Sequence, residues 1–237
     1  MVKKKTSRAA NVQFNRQEAE LIMRTNGWLS TQPEDFREEV LRRSLLLQFD
    51  AGEYVYRMGD PLGGIYGLVQ GNLTINTAPP GQVPKLIQTG IPGSWTGEGC
   101  FLTRQPRRLD LQARLTTWMF HLPLEQMDQM AYGNPKVIAQ FSHILMATTE
   151  VLVRIVYDLQ VQDPLRRVAS VLQRITGKHS SMVVLTQSEL GEMSCATRRQ
   201  VNIALKTLSS IGIVRINYGR INIIDKEKLL RVMEEDR

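Results

Sequence analysis

Between Leu45 and Leu122 the chain never holds a helical period for long. Short runs of β-favouring residues (LLLQF, EYVYR, IYGLV, LTIN, KLIQT, LDLQARL and TWMFHL) alternate with glycine- and proline-rich punctuation (AGE, GDPLGG, QGN, PPGQ and IPGSW). Strands this short, at this spacing, predict an antiparallel sandwich or barrel with no helix of useful length inside it.

Helices flank that body on both sides. Asn15 to Thr25 predicts one, with Asn15 and Glu18 as a capping box. Ser30 or Thr31, with Pro33 near the first turn, starts another that runs to about Arg43. Ile22, Met23, Phe36, Val40 and Leu41 are their expected buried anchors. After a short helix from Leu124 to Met130, Asn134-Pro135 opens a long one to about Val161. Along it Ile138, Phe141, Leu145, Thr148, Leu152, Ile155 and Leu159 recur in steps of three and four, a seam of three heptads interrupted by a threonine. Such a helix can pack on its own β domain alone. The seam's length, and a second apolar set (Val137, Ile144, Val151, Val156), favour one face on the β domain and one on a second copy, as a parallel homodimer.

Asp163-Pro164 then ends that helix and restarts another, since Asp is a strong N-cap and Pro suits the first helical position. This is the expected hinge. Leu165, Val168, Ala169, Leu172 and Ile175 form the next apolar face, and Gly177 ends it. Thr186 to Leu208 predicts two short helices joined by a tight turn. Leu190, Met193, Val201, Ala204, Leu205 and Leu208 supply the buried side, and Gly191 sits where a second backbone can cross closely. Thr197 with Gln200 makes a capping box. Arg198, Arg199, Asn202 and Lys206 then fall outward. A helix-turn-helix presenting cations and an amide at the start of its second helix is suited to reading base edges in a major groove. Gly212 leads into IVRI, the turn NYGR and INII, a hairpin wing against that helix; Asp225 caps a last helix through Met233. The expected division is a basic tail over 1–14, helices and β sensor over 15–133, a dimerisation helix over 134–162, and a winged helix-turn-helix over 163–237.

Charge follows the same division. The net charge is +7, but residues 17–163 carry 12 Lys/Arg against 16 Asp/Glu, while residues 164–237 carry 13 against 7. A polyanionic partner, double-stranded DNA, explains a basic C-terminal part better than solubility does. The tail MVKKKTSRAA lacks the apolar part of a signal peptide and reads as solvated, with a DNA-contacting arm as the alternative. Cys100 and Cys195 are far apart, so no disulfide framework is available, which fits a reducing cytosol. There is no apolar run long enough to span a membrane.

Together these parts resemble the Crp/Fnr family of bacterial transcription regulators. The resemblance covers about residues 30–230. Its most specific pieces are AGEYVYRMGDPLGGIYGLVQGNL at 51–73, GSWTGE at 93–98, and LTQSELGEMSCATRRQVNIALKTLSSIGIVRI at 185–216. It implies an α+β chain with a jelly-roll-like, cyclic-nucleotide-binding-type sensor domain, dimerisation through the long helix, twofold-symmetric operators, and recruitment or blocking of RNA polymerase.

Departures from the family pattern shape the expected control. Cyclic-nucleotide-binding members grip ribose and phosphate with a Gly-Glu pair and a later Arg-Ser pair. Here Gly97-Glu98 is present, but the later position reads Arg107-Arg108 with no serine. The Thr-Ser pair that meets adenine falls on Leu152-Val153, which cannot hydrogen-bond. Leaving a purine edge unpaired would cost roughly 1–3 kcal/mol per group, so cyclic AMP is not an expected effector. Gly97-Glu98 then reads as a turn kept by the fold, with Glu98 satisfied by backbone or by Arg107 and Arg108. An iron–sulfur cluster is not expected, because the oxygen-sensing branch needs four cysteines. Haem is not expected either, because His121, His143 and His179 are scattered. A cupin-type enzyme would need a His/Glu metal cluster on the strands, and His121 is the only histidine between 45 and 130. No catalytic or metal residue is assigned.

The reading head also departs. Where the family commonly has Arg-Glu-x-x-x-Arg, this chain has Arg198, Arg199 and Ile203. Arginine prefers guanine O6 and N7, where glutamate would accept from cytosine N4. Ile203 can meet a thymine methyl or turn inward. Arg198 is the foremost base-contact candidate, followed by Arg199 and Asn202. Thr186, Gln187, Thr197, Gln200, Asn217 and Tyr218 are phosphate-positioning candidates, with Lys206 and Arg220 adding charge. Cys195 stands in the turn where the family usually has glycine: a tolerated small residue, or a redox switch beside a helix N-terminus. The expected function is a cytoplasmic, homodimeric, sequence-specific DNA-binding regulator. The alternative is a ligand- or redox-dependent sensor whose DNA binding is conditional.

Overall fold

The computed structural model describes residues 15–176, 181–217 and 220–234. The tail 1–14, Gly177, His179 and Tyr218 lie outside the described residues.

Three helices lead in. Helix α1 (Arg16–Thr25) is capped by Asn15, but the Asn15 side chain accepts from the Gln17 N–H, so the box expected with Glu18 does not form. Helix α2 (Gly27–Ser30) is an extra turn with no propensity signal. It exists because Gly27, at φ +67°, lies against Gly93, whose carbonyl oxygen would sit 2.0 Å from any Cβ there. Helix α3 (Glu34–Arg43) starts past the expected Ser30 or Thr31, with Pro33 itself as N-cap.

The β body comprises β1 (Leu45–Phe49), β2 (Tyr54–Tyr56), β3 (Ile65–Gln70), β4 (Leu73–Thr77), β5 (Lys85–Thr89), β6 (Trp95–Thr96), the helix α4 (Glu98–Thr103), β7 (Asp110–Ala113) and β8 (Thr117–Leu122). Two antiparallel four-stranded sheets, ordered β1-β8-β3-β6 and β2-β7-β4-β5, form a β-roll. Tyr56, Leu68, Leu73, Leu111 and Met119 pack between them. The other face of the first sheet carries Phe120 and Leu122 into a second cluster with Trp28, Phe36, Phe101 and Phe141. Within the β body, strand β6 and helix α4 are the elements unmarked by sequence pattern. Helix α4 corrects both the all-strand reading and the turn expected at Gly97-Glu98.

Helix α5 (Leu124–Ala131) leads into α6 (Pro135–Gln160), a helix of 26 residues. Asp163 caps α7 (Pro164–Arg174), accepting from the Leu165 N–H at 2.9 Å. Then follow β9 (Met182–Val183), α8 (Gln187–Ser194), α9 (Arg198–Ser210), β10 (Val214–Asn217), β11 (Arg220–Ile223) and α10 (Lys226–Glu234). The wing is three-stranded, β10-β11-β9, because Met182 and Val183 pair with Asn222 and Ile221. Val168, Leu172, Leu190, Val201, Leu205 and Leu208 are among the side chains of this domain's core. Leu86 of β5 joins the same cluster, so the β-roll and the winged helix-turn-helix share apolar contact.

Helix α6 has two faces, though not quite the expected ones. Ile138, Leu145, Leu152 and Leu159 of the heptad seam are exposed, and Thr148 and Ile155 are half-buried. Phe141 belongs to the other face: it is fully buried, with ring centroids 5.2 to 6.0 Å from Phe101, Phe36 and Trp28. The spacing cannot separate the two faces where the helix still lies on the β-roll. The Trp28 indole N–H donates to the Gln140 carbonyl at 2.9 Å, which fixes that contact. Val156, expected on the β-facing side, is exposed.

Candidate functional site

Helix α9 is fixed at its start by its own sequence. Thr197 accepts from the Gln200 N–H at 3.2 Å, and the Gln200 side-chain oxygen accepts from the Thr197 N–H at 2.9 Å. The Thr197 hydroxyl also donates to that oxygen. Helix α8 carries the same device with Thr186 and Glu189. Both boxes use orphan N–H groups that a helix start leaves unpaired. They also consume the oxygens of Thr186, Thr197 and Gln200. As a phosphate contact this group therefore offers the Gln200 side-chain amide N–H, since the backbone N–H groups of all three residues and both threonine hydroxyls are engaged in the boxes.

Between the helices the turn closes tightly. A Cβ on Gly191 would lie 2.7 Å from the Ala196 carbonyl oxygen, so the close crossing is with the turn itself. Cys195 is exposed and left-handed, at φ 49° and ψ 43°. Beyond the turn, Arg198, Arg199 and Lys206 are exposed and Asn202 is half-buried. Ile203 is 56% exposed, so it faces outward. The outward strip of α9 is thus two guanidiniums, an amide, one apolar side chain and an ammonium. Neither Arg198 nor Arg199 makes an ion pair among the described residues. Gln187 is half-buried at the start of α8, and Asn217 and Arg220 are exposed at the wing end, paired in register.

Side chains that carry no sequence signature hold this domain in place. Arg167 of α7 donates to four backbone carbonyls. Its Nε reaches Ser194 at 2.8 Å and one terminal nitrogen reaches Cys195 at 3.1 Å. The other terminal nitrogen reaches Val161 at 2.6 Å and Gln162 at 3.0 Å. It joins the end of α6 to the turn of the helix-turn-helix. Buried Arg174 reaches into the β-roll, donating to the Gln88 side-chain oxygen at 2.8 Å and the Ile87 carbonyl at 3.2 Å. Burial lowers its pKa, and buried Asp158 of α6, 3.9 Å away, works against that. Asp158 also accepts from Ser170 at 2.7 Å and from Arg154 at 3.2 Å. Across the same boundary Glu192 of α8 accepts from the Leu86 N–H at 3.0 Å, and Glu189 pairs with Arg114. Strand β5 therefore touches both α7 and α8.

The sensor residues named from sequence split into separate places. Arg107 is buried under the β-roll, donating to the carbonyls of Gly64 at 2.8 Å and Gly97 at 3.2 Å. Its guanidinium lies 4.1 Å from the Tyr56 ring centroid. Glu98 is buried at the start of α4. Burial raises its pKa, opposed by the backbone N–H groups of Glu98 and Gly97 and, last, by Arg107. Backbone, rather than Arg108, satisfies it. Arg108 is exposed, and its carbonyl accepts from the Thr77 hydroxyl at 2.9 Å. Val153 is exposed and faces a hollow between α6, α7 and α10.

Of these six residues only Leu152 lines the cavity between the β-roll and α6. That cavity measures about 250 Å³, and its walls include Leu68, Leu111, Met119, Trp95, Ile144 and Leu152. Beside it the Tyr66 ring stacks on His121 at 4.3 Å. Burial first, then the Arg107 charge, pushes the imidazole down to about 4. Among the described residues no three His, Cys, Asp or Glu side chains converge as a metal site would require, and no helix is long and apolar enough to cross a membrane.

Comparison with known proteins matches two family models: a cyclic nucleotide-binding domain over residues 46–133 and a Crp-like helix-turn-helix domain over residues 166–232. No curated protein matches. Solved structures share the fold at low identity. A regulatory protein from Silicibacter pomeroyi has a TM-score of 0.70 at 17% identity, covering 92% of this chain and 100% of that one. A CRP/FNR-family transcriptional regulator from Thermus thermophilus has a TM-score of 0.60 at 19% identity, covering 81% and 99%. The c-di-GMP-responsive global regulator CLP of Xanthomonas campestris has a TM-score of 0.61 at 17% identity, covering 81% and 100%.

Proposed function

Because the chain belongs to the Crp/Fnr family of transcription regulators, we propose that it acts as a homodimer on an inverted-repeat operator, independently of cyclic AMP. The observation that carries the DNA reading is the start of α9. A reciprocal Thr197–Gln200 box fixes the first turn, and Arg198 and Arg199 project from it into solvent. Two arginines there favour guanine edges, and exposed Ile203 favours a thymine methyl. The exposed seam of α6 supports a partner helix along Ile138, Leu145, Leu152 and Leu159. A twofold dimer sets the two α9 helices one turn of DNA apart, about 34–36 Å. The partners are double-stranded DNA, a second copy, and RNA polymerase in the bacterial cytoplasm.

Independence from cyclic AMP is supported by three features. Leu152 meets the cavity with an apolar side chain, Arg107 is bonded to two backbone carbonyls, and Glu98 turns to the backbone of its own helix. The Xanthomonas regulator of the same fold responds to c-di-GMP, so this architecture does not dictate the effector. A second reading, DNA binding conditional on a small molecule, is favoured by β5, which lines the cavity on one side and holds Arg174 and Glu192 on the other.

Selection of binding sites from random duplex DNA tests the proposal. The expected product is an inverted repeat with guanine-containing half-sites one helical turn apart. Binding should weaken steeply with salt through counterion release. A selected site without twofold symmetry, or micromolar cyclic AMP binding by calorimetry, would refute the respective part.

A further inference from the structure

We propose that the cavity between the β-roll and α6 binds a small, uncharged, largely hydrocarbon molecule. The proposal rests on the effector-dependent reading above. Among the described residues no charged side chain lines the cavity. An ionic ligand such as a cyclic phosphate would be desolvated there without a counter-charge in the wall.

The polar groups of the wall are largely engaged already. The Gln88 oxygen accepts from Arg174 at 2.8 Å. The Thr148 hydroxyl donates to the Ile144 carbonyl at 3.1 Å. The Ser94 oxygen accepts from the Ile91 N–H at 3.3 Å. The Trp95 indole N–H has no acceptor among the described residues, but its nitrogen has essentially no accessible surface, so it is sealed from the cavity and asks nothing of a ligand. Size follows from volume. A Leu/Ile/Phe-lined cavity of about 150 Å³ takes benzene. The 250 Å³ here suits two fused rings or a chain of about eight to ten carbons on the same scale.

Position gives the ligand its leverage. Ile87, Gln88 and Thr89 of β5 line the cavity. The Ile87 carbonyl and Gln88 side chain hold Arg174 of α7, and the preceding Leu86 N–H holds Glu192 of α8. Leu152 and Thr148 of α6 form the opposite wall. A molecule seated between them presses on the strand that carries the DNA-binding domain and on the helix that faces the second copy.

The test uses the full chain with 1-naphthol and 1-decanol as probes, and naphthalene and cyclic AMP as comparisons. Calorimetry and tryptophan fluorescence report binding; fluorescence anisotropy on the selected operator reports DNA affinity. Both alcohols should bind with sub-millimolar Kd. Ala147→Phe and Thr148→Phe, at the α6 wall, should weaken them at least tenfold, with thermal melting showing that each variant is folded. Naphthalene should bind within a few-fold of 1-naphthol, since the wall is largely apolar.

Absence of alcohol binding up to the solubility limit overturns the proposal, and so does binding that both α6 variants leave untouched. Alcohol binding with no change in operator affinity upholds the site and refutes its role as an effector pocket. If cyclic AMP binds and shifts operator affinity while the alcohols do not, the effector reading survives and the apolar ligand class falls.

Discussion

Arg167→Ala is the most informative single perturbation of this chain. Four backbone carbonyls converge on one guanidinium, two from the end of the hinge (Val161, Gln162) and two from the turn of the helix-turn-helix (Ser194, Cys195). Ser194 ends α8 and Cys195 is its C-cap, where helices leave carbonyls unpaired. A hydrogen bond to a charged group contributes about 1.5–3 kcal/mol in a good environment. Arg167 is only half-buried, and water can replace it at most of these oxygens. The four bonds together should therefore be worth about 2–3 kcal/mol rather than their sum. For a domain of this size that lowers Tm by about 8–24 °C. The loosened turn should also misplace α9 and weaken operator binding about tenfold. Arg167→Lys, with a single ammonium in place of the planar fork, should recover less than half of either loss. Urea denaturation followed by circular dichroism gives the first quantity, and fluorescence anisotropy on the operator gives the second. A change in stability below about 0.5 kcal/mol, with operator affinity intact, would refute the latch.

Three further outcomes are expected. Arg198→Ala should cost about 1–3 kcal/mol of discrimination at one base position of each half-site, with the melting temperature unchanged because the side chain is exposed; parallel site selection on variant and wild type reads it. Cys195→Gly should stabilise the fold by about 0.5–1 kcal/mol, since an L residue at φ 49° is strained and glycine is not, less the backbone entropy glycine loses; urea denaturation compares the two. His121 sits at about 4 in the fold, below its ordinary 6.5, because burial and then Arg107 disfavour its charged form. The unfolded chain takes up that proton first, so stability is fully present above about pH 6.5 and is lost as pH falls toward 4. Partial exposure limits the loss to about 1–2 kcal/mol. Glu98, raised by burial, has the opposite sign, so the His121→Gln variant melted across this range should lose stability less steeply than wild type.

What the sequence revealed and what it concealed divide by range. The capping box at Thr197–Gln200 and the Asp163-Pro164 restart are legible because caps are local and involve residues two or three apart. Helices α2 and α4 are not legible, because glycines and contacts from elsewhere set them. Gly27 turns against Gly93, and Gly97, at φ +103°, turns beside the Arg107 guanidinium and the Gly64 carbonyl. Phe141 keeps perfect heptad spacing and still belongs to the β-roll, since a period of three and four says that a face is apolar but not what covers it. Arg167 and Arg174 bond across long sequence separations and have no pattern of their own. Arginines on a basic helix read equally well as DNA contacts, and here burial and carbonyl partners show that these two work inward.

The same inward use of charge explains an oddity of α8. The C-terminal domain is basic overall, 13 Lys/Arg against 7 Asp/Glu over residues 164–237. Yet α8, which in a helix-turn-helix crosses the DNA backbone, carries Glu189 and Glu192. Carboxylates beside phosphates would repel them. Neither is left free for that. Glu189 closes the Thr186 box and pairs with Arg114 of the β-roll, and Glu192 accepts from the Leu86 N–H of β5. The β-roll thus takes up the acids of the backbone-crossing helix while α9 keeps its cations in solvent. Contact with β5 and suitability for DNA are then coupled properties. Any displacement of β5 that releases Glu192 frees its carboxylate on α8, the backbone-crossing helix, and weakens phosphate contact there. A ligand in the neighbouring cavity would act on operator affinity through that displacement, without touching α9.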